Sequence, residues 1–558
     1  MRNWEYRIIS IFAAEKTNYY QPPMKLTKSL LAVMLLIQFT AFAQVKLSKD
    51  FNITVGAPYK VVDAPIKDYF SDNNGHAISI KTDNEKVTLQ AYDVKGMRET
   101  SRKEYEDFPP VNKLQDIVQV GDKLYYVFSS FNKKVKQEDI YARPINIAEG
   151  TFGASKLLFT TAREVAMAGM AEGATSIFNI RTFRFMVHNS FDNSKLMVRY
   201  RLKPAEKDDA KNYDVMGFFV FDNNFEKQWG GEVKMPYTEK EMNNIAYGVT
   251  KDGKAFMLAR LNDGKRFELL SISSDLKVTP NKIEIDGNLV FQEIKMFETA
   301  SGNLTCIGYY ANGVDYKVNW TGSGTLSWNM NGILDWEMDV NGKVLQKHNF
   351  EFPLELINQY ESKRAKGKNE KREGQGKAGI EDLKLIDVVQ NADGSTIIVG
   401  EQQYVRKEMK GTQMSNISYY ADLVAAKFDA SGKIQWMKKL PKTQISTVGK
   451  GGLGVKYIKG ADASYILYLD NPKNIDLQLS EVPAKHEEGR GGYLTAYKID
   501  DATGNIEKHT ITDVHDIKGT EAFQFKTSRI FQASDKNFLL EIYIKGKEDT
   551  MVKLQLSK

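Results

Sequence analysis

Eight times along this chain a polar turn rich in Asp, Asn and Gly opens onto a short apolar run. The turns begin near Asp72, Asp122, Asp192, Asp252, Ser301, Asp393, Asp462 and Asp535. The runs that follow are strand-like, as in Leu124–Phe128, Ala255–Ala259 and Thr396–Gly400. Self-similarity spaced by tens of residues means that one supersecondary unit is repeated, because a single unit cannot bury its own apolar faces.

A second phrase pairs with the first. After each early strand comes another apolar strand, a tight turn, and then a more polar strand. Clear copies of that turn are Tyr92-Asp93-Val94-Lys95-Gly96, Phe221-Asp222-Asn223-Asn224-Phe225, Met338-Asp339-Val340-Asn341-Gly342, Phe428-Asp429-Ala430-Ser431-Gly432 and Ile499–Gly504. Asp and Asn satisfy nearby backbone groups and Gly supplies positive φ, so these read as hairpin turns. Helical periodicity is scarce, and Val, Ile, Tyr and Phe dominate the runs. The expected fold is all-β, with four antiparallel strands to each unit. Units of about 64 residues have the size of a β-propeller blade, and eight blades are expected. Seven is the alternative, because the first unit is the least regular. The last unit offers only three strands before the chain ends. An orphan strand around Val45–Val55 is expected to complete it, closing the ring by pairing the two ends.

Lys427-Phe428-Asp429-Ala430-Ser431-Gly432-Lys433-Ile434-Gln435-Trp436 resembles the repeats of pyrroloquinoline-quinone-type propellers, with their Asp, Gly-Lys and Trp. Similar phrases occur in many secreted bacterial propellers. The resemblance covers about ten residues per blade, and the Tyr497–Glu507 copy lacks the Trp. It implies the fold, and it implies no quinone cofactor; no cofactor is expected.

Lys25 and Lys28 precede the apolar stretch Leu30–Phe42, and Ala41-Phe42-Ala43 gives a small-x-small cleavage pattern before Gln44. Residues 24–43 therefore read as a signal peptide, too short for an ordinary membrane span. Residues 1–23 do not look like an export signal, so translation is expected to start at Met24; a long leader is the alternative. Residues 44–558 would form a single exported domain, periplasmic or extracellular. They hold 72 basic and 69 acidic residues, a balance that argues against a nucleic-acid surface. Cys306 is the only cysteine, so no internal disulfide can form. No Cys follows the cleavage pattern, and a lipoprotein anchor is not expected.

The tight Asp/Gly turns belong to one side of such a disc. The long connections belong to the other: Leu202–Tyr213, Ala311–Gly324, Gln402–Tyr419, Asp470–Gly491 and the inter-unit segment Leu354–Leu383. Function tends to sit where the elaborations are. The fifth unit adds an aromatic cluster of Tyr309, Tyr310, Tyr316, Trp320, Trp328 and Trp336. Trp328 and Trp336 fall in strand-like runs and read as packing. Trp320 lies in a long connection beside Asn319 and Thr321, where an aromatic plane with polar neighbours suits a sugar or a protein hot spot. The expected contacts are Tyr316, Asn319 and Trp320, with Tyr404, Tyr419, His486 and Arg490 from the later connections. The segment 361–379 is strongly basic with no apolar anchor, and is expected to be a disordered insertion.

Catalytic and metal signals are poor. His509, Asp513, His515 and Asp516 have no recognised ligand spacing, and no metal is expected. Asp339-x-Asn341-Gly342 and Asp429-x-Ser431-Gly432 lack the later ligands of a calcium loop. Cys306 sits in an apolar run and reads as a buried small hydrophobe. No nucleophile elbow, phosphate loop or zinc helix occurs. The expected function is a non-catalytic, monomeric module that binds an envelope or extracellular protein or a glycan through its long-connection face. The alternative is an extracellular polymer-degrading hydrolase or lyase with its site at the central mouth, assembled from pieces remote in sequence.

Overall fold

The computed structural model describes residues 47–84, 86–167, 184–206, 208–262, 266–284, 289–313, 315–318, 324–391, 393–410, 413–446, 452–460, 462–489 and 491–557. Leader residues 1–43 therefore lie outside the described residues, as do Asn319, Trp320, Arg490 and the side chain of Tyr316. No helix among the described residues is long and apolar enough to cross a membrane.

Strands dominate, and they assemble into antiparallel sheets built on a four-strand plan. Sheet 1 runs Ile66–Ser71, His76–Asp83, Lys86–Asp93 and Arg98–Tyr105. Sheet 2 is Asn112–Val120, Lys123–Asn132 and Gln137–Asn146, with Thr151–Phe152 and Lys156–Thr160 both on its outer edge. Sheet 3 spans Phe185–Asn189 to Lys227–Thr238, sheet 4 Met242–Val249 to Val278–Glu284, and sheet 5 Val290–Glu298 to Val344–Glu351. Sheet 6 holds Leu383–Gln390, Thr396–Lys410, Gln413–Phe428 and Ile434–Leu440. Sheet 7 spans Lys456–Lys459 to Ile506–Asp513. Sheet 8 takes three strands from the end of the chain, Phe531–Ser534, Asn537–Ile544 and Glu548–Leu556. Its fourth is Phe51–Val55, with Phe51 opposite Leu556 and Val55 opposite Val552.

Each run is apolar on both faces because each sheet is covered on both sides. In Lys123–Asn132, Tyr126 and Phe128 turn toward sheet 1, while Tyr125 and Val127 turn toward sheet 3. This period-two division recurs. Apolar clusters join sheets 1 and 2, 2 and 3, and 3 and 4 in succession. Others join 4 and 5, 5 and 6, 6 and 7, and 7 and 8. A further cluster, with Ala77, Tyr92, Leu539 and Met551, joins sheet 8 back to sheet 1.

The turns behave as their residues dictate. The Asp339 carboxylate accepts from the N–H groups of Asn341 and Lys343 at 2.8 and 2.9 Å, and Gly342 has φ +81°. Asp429 does the same for Ser431 and Lys433, with Gly432 at φ +76°. Hydrogen bonds, led by that from the Ser431 hydroxyl, hold the Asp429 carboxyl below its usual value. Cys306 is fully buried between sheets 4 and 5, and burial pushes its thiol far up.

The junction of sheets 8 and 1 carries a buried ionic group. Lys81 Nζ donates to Glu541 Oε1 at 2.6 Å and to Asp549 Oδ2 at 3.3 Å, and all three side chains are fully buried. Tyr59 and Tyr69 hydroxyls also donate to Glu541, at 2.9 and 2.6 Å. Lys67 stands 3.8 and 3.9 Å from the two carboxylates.

Two expectations are corrected. The basic segment 361–379, expected to be disordered, holds the helix Lys363–Glu373. No residue of that helix is buried, so the missing apolar anchor excluded a core helix but not a capped surface one. Ser362 supplies the cap, its hydroxyl accepting from the Ala365 N–H at 3.2 Å. Lys, Arg, Ala and Glu are good helix formers, and Lys371 and Arg372 complement the dipole at the last turn. The Asn369 amide ties the helix to Asn358 at 2.9 Å. Second, Gln402–Tyr419 is not a loop. Thr396–Lys410 and Gln413–Phe428 stay paired along their length, with Met409 opposite Met414, and form a hairpin arm projecting from sheet 6. Within the segment 311–324, Asp315–Val318 likewise pairs with Gly324–Ser327.

Candidate functional site

Antiparallel strands alternate their connections, so the arm rises on the side opposite the Asp/Gly turns. Its register sets Tyr404 opposite Tyr419 on one face. Their rings stack at 5.0 Å with 13° between planes. Arg406, two residues on and therefore on the same face, lays its guanidinium 4.6 Å from the Tyr404 ring centre and 5.4 Å from that of Tyr419. The Tyr419 hydroxyl donates to Glu408 and accepts from Lys485 Nζ at 2.9 Å.

The base of the arm is braced by two short strands. Gln444–Ser446 pairs antiparallel with Ser418–Tyr420, and His486–Glu487 adds in parallel, Gln444 opposite His486. The connection Asp470–Gly491 is thus recruited into sheet 6. His486 is buried by this docking, and burial lowers its imidazole to about 4, opposed by Asp470. Below it, fully buried Lys442 pairs with Glu401 at 2.7 Å and donates to Gln444 Oε1 at 2.9 Å and the Tyr420 carbonyl at 3.0 Å. Burial lowers the Lys442 ammonium, and Glu401 opposes that shift.

Between the arm and the helix Lys363–Glu373 lies a cleft of about 400 Å³. The helix lines it with Ala365, Lys368, Asn369 and Arg372, and the arm with Tyr404 and Arg406. Tyr360, Glu361, Glu381 and Asp422 also line it, as do Val482 and Pro483 from the 470–491 connection. Lys439 organises the acidic groups. Its buried ammonium lies 3.5 Å from Asp422 and 3.6 Å from Glu361, and donates to the Gln359 and Ile357 carbonyls at 2.8 and 3.2 Å. Burial pushes the Asp422 carboxyl up to about 6, and Lys439 pulls in the opposite direction. Burial also raises Tyr360, to about 12.

Of the residues expected from sequence, the structure brings together Tyr404, Tyr419 and His486. Tyr404 lines the cleft, Tyr419 supports it from behind, and His486 sits in the brace. Tyr309, Tyr310 and Trp336 are core residues of sheet 5, and Trp328 is half-buried against the cluster between sheets 5 and 6. The group His509, Asp513, His515 and Asp516 does not converge: His509 pairs with Ser48 and Glu507, and His515 with Glu521. Sequence reading missed Arg406, Lys439, Asp422 and Tyr360. Arg406 was findable, because Tyr404, Arg406 and Glu408 alternate with Val405, Lys407 and Met409. Lys439 carried no local signal, since its carboxylate partners lie 17 and 78 positions away.

No family model and no curated protein matches this sequence. Among solved structures, the chain is similar to the WD40 domain of SCAP from fission yeast, at 8% identity and TM-score 0.36 over 92% of this chain and 97% of that one. It is similar to the polysaccharide lyase Uly1 at 9% identity and TM-score 0.36, covering 80% and 90%. The β-propeller domain of the Trilobed protease from Pyrococcus furiosus aligns at 11% identity and TM-score 0.31, covering 85% and 99%.

Proposed function

We propose that this chain is an exported, non-catalytic β-propeller of eight four-stranded blades, and that it binds an envelope or extracellular partner through its long-connection face. Supporting the ring is the cyclic succession of apolar clusters, the last joining sheet 8 to sheet 1. The antiparallel pairing of Phe51–Val55 with the terminal strand supports closure by the two ends. The leader pattern at 24–43 supports export.

The observation that carries the binding reading is the braced arm with its cleft. A hairpin held out from its sheet by two recruited strands and a buried Lys442–Glu401 pair is a rigid presentation device. The test is capture from crosslinked envelopes of the source organism with residues 44–558 as bait. The control bait has 404–419 replaced by Asn-Gly, which joins the cross-strand pair Gln403 and Tyr420. Partner recovery that vanishes with the short arm supports the reading. Recovery unaffected by the deletion refutes it, and polymer turnover that survives the deletion would favour a hydrolase or lyase at the central mouth.

A further inference from the structure

We infer that the cleft between the arm and the helix Lys363–Glu373 takes a carboxylated polysaccharide, which rests on the binding reading above and names its ligand class. The first observation is a concentration of charge. Segments 361–377 and 404–409 hold nine basic and four acidic residues, while residues 44–558 as a whole hold 72 and 69. The local excess is larger than that of the entire chain, so everything outside these two segments is slightly acidic. The two segments are far apart in sequence and meet at one cleft, which Lys368, Arg372 and Arg406 line together with Glu361, Glu381 and Asp422. A field concentrated at a concave surface draws oppositely charged ligands to it.

The second observation concerns how the carboxylates of the cleft are occupied. Of the three lining carboxylates, Glu361 and Asp422 both face the buried Lys439, and beside the cleft Glu408 accepts from the Tyr419 hydroxyl. The charge of Glu361 and Asp422 is thus partly countered from inside the protein by one shared ammonium. The third is Arg406, which is exposed yet held against the stacked pair Tyr404–Tyr419. A guanidinium laid on aromatic rings has lost much of its rotamer freedom, and its planar fork matches a carboxylate.

Size and polarity then choose between polyanions. A volume of about 400 Å³ lies in the range of roughly 300–1,000 Å³ typical of small-ligand clefts. That suits one or two rings of a linear chain better than a folded acidic domain, which needs about 800 Å² of surface per partner. Ser362, Asn369 and Gln402 offer neutral donors and acceptors for hydroxyls, and Tyr404 offers an aromatic wall.

The experiment is calorimetric titration of residues 44–558 with oligogalacturonate, with dextran oligomers of equal length and with polyglutamate of equal charge. Oligogalacturonate is expected to bind at least tenfold more tightly than either, weakening as salt rises. Arg406→Gln and the pair Lys368→Gln/Arg372→Gln are each expected to lose at least tenfold. Tyr404→Ala is expected to reduce oligogalacturonate binding more than polyglutamate binding. Polyglutamate binding as tightly, with Tyr404→Ala lowering both alike, would overturn the sugar assignment in favour of acidic polypeptides. Dextran binding as tightly would overturn the carboxylate assignment. Binding to none, with arm-dependent capture from envelopes intact, would sink this inference while leaving the binding reading standing.

Discussion

Replacing Lys81 with Met tests how sheet 8 is locked to sheet 1. Lys81 is the only ammonium bonded directly to Glu541 among the described residues, at 2.6 Å, and it also reaches Asp549. Methionine preserves the stem and removes the charge, leaving two buried carboxylates with Lys67 more than 3.5 Å away. Removing one partner of a buried ion pair destabilises by about 3–5 kcal/mol, because the remaining charge stays desolvated. Unfolding entropy of about 2 cal/mol/K per residue over about 500 residues gives roughly 1 kcal/mol per kelvin. The expected drop in Tm is therefore about 3–5 °C at pH 8, read by scanning calorimetry. The pH dependence has a definite sign. Without Lys81 the folded-state carboxyls at Glu541 and Asp549 rise above their unfolded values, so the folded variant binds more protons than its unfolded chain. Acidification then favours the folded variant, and its deficit against wild type shrinks between pH 8 and pH 5. Replacing Glu541 and Asp549 by Leu as well as Lys81 by Met should recover much of the loss. A deficit below about 1 kcal/mol, or one identical at both pH values, would refute the claim that this group is a desolvated lock.

Other consequences are quicker to test. Burial lowers His486 to about 4 and His188 to about 3, so the folded state binds fewer protons than the unfolded one below the ordinary histidine value. Stability should fall as pH drops from about 6.5 to 4, by on the order of 2–3 kcal/mol for each, and His486→Gln should flatten part of that slope; a His486 NMR resonance titrating near 6.5 would contradict it. Ser362→Ala should weaken the basic helix by about 1 kcal/mol, raising amide exchange of 363–373 about fivefold and leaving the sheets unchanged; exchange already unprotected in wild type would reject the helix. Trp336→Ala, at a fully buried side chain whose indole N–H donates to Asn349 at 3.1 Å, should remove about 3–5 kcal/mol, seen as a lower urea midpoint.

What could be read from the chain followed the range of the forces involved. An Asx turn is made by residues two to four apart, so Asp72, Asp222, Asp339 and Asp429 announced their hairpins directly. Runs such as Thr396–Gly400 announced strands because both their faces are buried. The inner-strand bulges were not legible. Between Leu114 and Asp116 the register shifts, and the Gln115 amide oxygen accepts from the N–H groups of Arg184 and Phe185 in the next sheet, about 70 positions away. Buried lysines were hidden for the same reason. Lys81 looks like any strand-end lysine until Glu541, 460 positions later, is set beside it. The helix at 363–373 was misjudged on a different ground. Its order comes from a cap and intrinsic propensity, while the expectation of disorder weighed only apolar burial.

The arm shows why elaboration gathers on sheet 6. A hairpin extended beyond its sheet presents two edges of unpaired backbone and invites edge-to-edge association. Here Gln444–Ser446 covers one edge at Ser418–Tyr420, and His486–Glu487 covers that strand in turn. Covering takes buried polar anchors, and these are Lys442 bonded to Glu401 and Gln444, whose own amide donates to the Leu469 carbonyl at 2.8 Å. Val405, Met409 and Met414 remain exposed beyond the brace, interleaved with Lys407, a charge that discourages strand addition. The inner face of the arm, with Tyr404, Arg406 and Tyr419, is meanwhile fixed relative to the basic helix. A structure that merely tolerated a long insertion would need none of these anchors. Their presence at the hairpin that faces a charged cleft is the physical argument that this face holds a defined shape, which the proposed binding requires.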